Sequence, residues 1–132
     1  MQTALTIVDA SPTGKVFAEV SVTILSEKLT IRAIIEARVR QEVARFNADT
    51  QAVVFSGLVQ PTDTESELNG YRLRRRRQLD PDAQVAHALD AFERNGFFML
   101  VNDQQVDDLS QEIIVTPRTT VSFVKLVPLV GG

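Results

Sequence analysis

The sequence predicts an α+β domain in which a mixed sheet wraps a helix. Three observations carry that expectation. Two early segments, Ala4 to Asp9 (ALTIVD) and Val16 to Ile24 (VFAEVSVTI), alternate in the period-2 sense of strands. The stretch LTIRAIIEARVRQEVARFN then repeats its apolar residues in steps of three and four, the spacing of one helical face. After Gly96 the pattern returns to strands. A hairpin, a helix and further strands cannot all pair locally. The last strand is therefore expected beside the first, with the long helix crossing one sheet face.

Each element has its own signal. The turn formers ASPTGK join the first two segments into a hairpin. In its second strand Val16, Ala18, Val20, Val22 and Ile24 share one face. In the helix, Ile31, Ile34, Ile35, Val39, Val43 and Phe46 form the stripe, and Arg32, Glu36, Arg40 and Arg45 fall outside it. Thr30 is suited to the N-cap and Asn47 to the C-terminal stop. AVVFSGLVQP offers a short strand at Ala52 to Phe55, ended by Gly57 and Pro61. Polar TDTESELNGY reads as a loop. DPDAQVAHALDAFERNG is a well-marked helix, with Asp80 at the N-cap, Pro81 first and Asp82 in the first turn. Val85, Ala88, Leu89 and Phe92 make its apolar face, and Asn95-Gly96 ends it in a left-handed cap. FFMLVN is a continuous apolar run suited to a central strand, followed by a turn at NDQQ, Val106 and the loop DDLSQE. IIVTP and TTVSFVKLV close the pattern, with a turn at Pro117-Arg118. In the last strand Val121, Phe123 and Lys125 share a face, opposite Ser122, Val124 and Leu126.

Composition excludes several kinds of function. The 132 residues fit a single domain with a real core, and 44% apolar with 23% charged residues is ordinary for a globular protein. A net charge of -3 argues against bulk nucleic-acid binding. The absence of cysteine removes disulfides, a thiolate nucleophile and Cys-based metal sites. The single histidine, His87, falls on the polar side of its helix and reads as a surface residue. MQTALTIVDA lacks the features of a signal peptide, and no apolar run approaches the ~20 residues that span a bilayer. The expectation is a soluble, cytoplasmic protein that is not an enzyme and binds no metal or cofactor of its own. No paired carboxylates, phosphate loop or nucleophile constellation is visible.

The block FFMLVNDQQVDDLSQEIIVTPRTTVSFVKLVPLVGG resembles the C-terminal half of ubiquitin-like proteins, including the bacterial thiamine and molybdopterin sulfur carriers. An apolar strand leads to a turn and a short return (MLVNDQQV). A loop with an apolar stop follows (LSQEIIV), then a polar turn (TPRTT), a last strand (VSFVKLV) and the tail PLVGG. The front, ALTIVD to VARFN, fits the same family: a hairpin, then the helix that the sheet grasps. The resemblance implies a β-grasp (ubiquitin-like) fold, a mixed sheet around a central helix. The departure is a helical and loop insertion over approximately 48–96, within a single domain 1–132 ending in a flexible tail, 128–132. The likeness weighs most toward bacterial ubiquitin-like modifiers from operons with activating and conjugating enzymes and a deconjugating metalloprotease, associated with antiphage defence.

In such a family the activating enzyme uses ATP and magnesium to adenylate the terminal carboxylate, often passing it on to a cysteine as a thioester. The resemblance therefore makes Gly132 the activated group and Gly131 its companion. Two glycines form a thin probe that can thread a narrow channel at angles a Cβ forbids. Pro128 tends to end strand pairing and marks where body becomes tail. Leu129 and Val130 are then apolar anchors for partner enzymes. The implied partners are an activating enzyme, a conjugating enzyme, a deconjugating protease and target proteins, with no membrane.

A second candidate is the run Arg72, Arg74, Arg75, Arg76 and Arg77. It reads as a solvated loop balanced by Asp63, Glu65, Glu67, Asp80 and Asp82, or as a docking patch for an acidic partner or a neighbouring copy. Three functions stay open on these residues: a conjugated modifier, a sulfur carrier forming a C-terminal thiocarboxylate, and a non-covalent assembly module. Length favours the modifier, since dedicated sulfur carriers are minimal domains. Having only three lysines, Lys15, Lys28 and Lys125, suits a modifier that avoids joining to itself, and genome composition explains it equally.

Overall fold

The computed structural model describes residues 3–67 and 70–126. Among them the chain forms strands β1 (Thr3–Ala10), β2 (Val16–Ile24) and β3 (Lys28–Thr30), then helix α1 (Ile31–Ala48). Short strands β4 (Val54–Phe55), β5 (Thr64–Glu67) and β6 (Gly70–Leu73) precede helix α2 (Pro81–Glu93). Strands β7 (Phe97–Val101), β8 (Gln104–Val106), β9 (Glu112–Ile114) and β10 (Val121–Lys125) follow. The fold is mixed α+β. Its residues group into two units, Met1–Ile34 with Ala91–Gly132, and Ile35–Asp90.

The first unit is built on a mixed five-stranded sheet of order β2-β1-β10-β7-β8. β2 lies antiparallel to β1, with Leu5 opposite Val22 and Ile7 opposite Val20. β10 runs parallel to β1, so the last described strand does return beside the first, and it is antiparallel to β7. Alternation places Leu5, Ile7, Met99, Val121 and Phe123 on the buried face. Phe97 packs against both Phe92 and Phe123, with ring centroids 5.9 and 5.6 Å apart. In the run FFMLV the residues between the buried ones, Phe98 and Leu100, are only half-buried.

One expectation fails in β2. Val16 does not share the buried face, because the register shifts between Asp9 and Ala10: Asp9 faces Ala18 while Ala10 faces Val16. Phe17 is the extra, bulged residue, and both it and Val16 are exposed. The turn before it closes as expected, with Gly14 at φ 89° and Ser11 N–H donating to the Lys15 carbonyl at 2.9 Å.

Local signals in this unit are otherwise met. Thr30 Oγ1 accepts from Ala33 N–H at 3.1 Å, and the loop after β8 supplies carbonyls at Gln111 and Leu109 to Ile31 and Arg32 N–H. Those bonds satisfy donors that a helix start leaves open. Asn95, at φ 60°, ends α2, and Gly96 N–H donates back to the Ala91 carbonyl at 2.8 Å. Asn102 and Asp103 both have positive φ, the conformation of a two-residue hairpin turn with right-handed twist.

The second unit has a three-stranded antiparallel sheet, β4-β6-β5, and most of both helices. Ile35, Val39, Val43, Phe46, Phe55, Leu58, Leu73, Leu79, Val85 and Ala88 are buried. Phe46 meets Phe55 edge-on at 5.7 Å. Here the stretch read as a loop is corrected: β5 and β6 are strands. No apolar alternation marks β5 because three of its four residues, Glu65, Ser66 and Glu67, are exposed, and it forms by backbone pairing to β6. Gly70 permits the close approach of β6 to β4, since a Cβ there would lie 2.6 Å from the Phe55 carbonyl oxygen. The strand expected over 52–55 shrinks to Val54–Phe55, because Ala52 N–H is held in a turn by the Asp49 carbonyl at 3.2 Å. Asp80 caps α2, its Oδ1 accepting from Asp82 N–H at 3.0 Å.

Candidate functional site

Pro128, Leu129, Val130, Gly131 and Gly132 lie outside the described residues. What is described is the strand that leads to them. β10 is interior to its sheet, paired with β1 on one edge and β7 on the other. At its last residue Lys125 Nζ stands 3.7 Å from Oδ2 of the buried Asp9. Asp9 was not singled out by the sequence reading, although it continues the inward phase of Leu5 and Ile7. That phase is the signal that finds it: a carboxylate on a core-facing position needs a partner.

The arginine run does not act as one patch. Arg72 pairs with Glu67, which holds the exposed guanidinium above its usual value through a hydrogen bond and opposite charge. Arg76 turns onto the end of α1, where Nη2 donates to the carbonyls of Phe46 at 3.2 Å and Asp49 at 3.0 Å. Its guanidinium lies 4.6 Å from the Phe46 ring centroid, and Nη1 donates to the Arg77 carbonyl. Arg77 Nη2 donates to the Thr62 carbonyl at 2.6 Å. Arg74 and Arg75 are exposed. Of the five candidates, these two have no hydrogen-bond or ion-pair partner among the described residues. Asn47 adds a second tie at the helix end, donating to the Leu79 carbonyl at 2.9 Å and accepting from Leu79 N–H at 2.8 Å.

Sequence reasoning also missed a buried ionic cluster. Arg38 Nε lies 3.3 Å from Glu42 Oε2, both on the inward side of α1. Glu42 Oε1 accepts from Leu58 N–H at 3.1 Å. Burial, and then the charge of Glu42, raise the pKa of the Tyr71 phenol above its ordinary value. Arg38 and Glu42 continue the steps of three and four from Ile34 and Ile35 to Phe46, so the stripe itself contained them. The arrangement is a satisfied structural pair. It links a helix to the chain at Leu58.

A groove of about 500 Å³ in the same unit is lined by Pro61, Thr62, Arg77, Asp80, Gln84 and His87, among others. His87 is exposed, as its helical position implies, and Gln84 is buried with Nε2 3.4 Å from the Val59 carbonyl. Among the described residues no group of three or more His, Asp or Glu side chains is arranged to hold a metal ion, and no helix is long and apolar enough to cross a membrane.

No protein-family model, curated protein or solved structure matches the chain.

Proposed function

We propose that the chain is a β-grasp, ubiquitin-like protein modifier, activated at the carboxylate of Gly132 and joined to target proteins in a bacterial antiphage conjugation system. The supporting observation is the strand order β2-β1-β10-β7-β8, which sets the strand before the tail between the first strand and β7. A β-grasp reading expects the opening hairpin and this return of the last strand. An interior strand, bonded on both edges, is a firm base from which to present a terminal group. The chemistry needs an activated carboxylate, because a free one has no good leaving group. An ATP-dependent activating enzyme supplies adenylation, with magnesium as its own cofactor. Gly131 and Gly132 give access to a narrow site, and Leu129 and Val130 give that enzyme its side-chain anchors.

Two measurements test the reading. Gly131→Ala, or deletion of Gly132, is expected to abolish ATP–pyrophosphate exchange with the cognate activating enzyme while leaving thermal unfolding unchanged. Undiminished exchange by the deletion variant sinks the proposal. Intact-mass analysis from the native host is expected to find heavier adducts carrying a Gly-Gly remnant. Replacement of one terminal oxygen by sulfur assigns the chain to sulfur transfer instead. Neither species, in an active culture, leaves a non-covalent assembly role.

A further inference from the structure

We propose that the groove beside α2 is a binding site for the C-terminus of a peptide, held by its terminal carboxylate and the amide before it. The groove, of about 500 Å³, has the volume of a small-ligand cleft and is lined wholly by residues of the second unit. Pro61, Leu79 and Ala83 give it apolar surface, and Arg77, Gln84 and His87 add three different polar groups. Ala83, Gln84 and His87 follow one another at helical spacing, so one face of α2 forms a wall. Segments 60–62 and 77–80 supply the rest.

Gln84 is the residue that points to a ligand. It is only 6% exposed, and its Nε2 is held by the Val59 carbonyl at 3.4 Å. Its amide oxygen has no partner among the described residues. Among those residues, however, Arg76 Nε is the one side-chain N or O atom shut off from solvent and partners alike. Gln84 Oε1 is therefore open to solvent, and the groove that Gln84 lines is its opening. An acceptor fixed in this way calls for an N–H donor. Arg77 supplies the opposite chemistry. Its Nη2 donates to the Thr62 carbonyl at 2.6 Å, which ties the two segments together and orients the guanidinium. The other guanidinium N–H groups have no hydrogen-bond or ion-pair partner among the described residues. An oriented guanidinium matches a carboxylate through paired hydrogen bonds, and the exposed His87 adds a ring N–H. A peptide C-terminus carries both complements on adjoining units: a carboxylate for Arg77 and an amide N–H for Gln84 Oε1. A small side chain on it suits the apolar surface. Asp80 also lines the groove, where its Oδ1 accepts from Asp82 N–H. Its negative charge weighs against a phosphate dianion and favours the singly charged carboxylate.

The probe is N-acetyl-alanylalanine, titrated into the full chain with backbone amide chemical shifts as the readout, beside the same peptide ending in a carboxamide. The acid is expected to bind saturably and to move the signals of Thr62, Arg77 and Gln84. The carboxamide is expected to bind about tenfold more weakly. Arg77→Lys keeps the charge but loses the planar fork, so it is expected to weaken the acid about tenfold and leave the carboxamide unchanged. Ala83→Leu, at an exposed helical position, fills the groove without entering the core and is expected to abolish binding of both peptides. Circular dichroism confirms that each variant is folded. Inorganic phosphate at the same concentrations is expected to leave these signals in place. No saturable shift with the acid, equal affinity for acid and carboxamide, or phosphate moving the same signals overturns the proposal. So does binding that neither variant weakens.

Discussion

Arg74 and Arg76 stand two residues apart in one run, yet their surroundings give them different roles. Arg76 donates to the carbonyls of Phe46, in the last turn of α1, and of Asp49, just beyond it, and stacks on Phe46, while Arg74 and Arg75 are solvated. Charge-assisted hydrogen bonds of this kind contribute roughly 1.5–3 kcal/mol net, and a cation over an aromatic face about 0.5–1 kcal/mol more at exposed sites. Arg76→Ala is therefore expected to lower unfolding free energy by about 2 kcal/mol in urea titration. Arg74→Ala and Arg75→Ala are expected to stay within about 0.5 kcal/mol of the parent. Equal losses at all three positions overturn the distinction. The sequence presented five equivalent arginines. It held no sign of which guanidinium reaches a helix end some 30 residues earlier, because that depends on tertiary approach.

At the scale of elements, what was legible is what is local. Both helices followed from apolar spacing, their N-caps from side-chain oxygens at Thr30 and Asp80 that reach three and two residues along the chain, and the end of α2 from Asn95, a residue type that tolerates positive φ. β1, β7 and β10 were legible because one face of each is buried. β5 was not, since a strand exposed on most of its length carries no apolar alternation. β3 is only three residues long and exists through β9, over 80 positions away in the chain, with Lys28 opposite Ile114. The bulge at Phe17 was equally hidden, because it is a property of two strands in register. The candidate site divides the same way. The Gly-Gly tail is visible in residue type alone, whereas Asp9 beside Lys125 and Arg38 beside Glu42 become a pair only through folding or burial.

For the whole molecule, one phenol provides a built-in reporter of folding, since the chain has a single tyrosine and no tryptophan. Burial, followed by the negative charge of Glu42, disfavours the Tyr71 phenolate and raises its pKa. In the unfolded chain the phenol ionises near pH ~10. Above that value the unfolded state binds fewer protons than the folded one, so stability must fall as pH rises toward the folded-state pKa. Below it both states hold the proton, and this group makes no pH-dependent contribution. Phenolate absorbance is expected to titrate at higher pH in the native protein than in urea. Glu42→Gln keeps an acceptor for Leu58 N–H while removing the charge, so it is expected to move the native midpoint partway back. Tyr71→Phe is expected to flatten the loss of stability above pH ~10, measured by denaturant titration at a series of pH values. A native midpoint at or below that in urea contradicts both the burial of this ring and the influence of Glu42 on it.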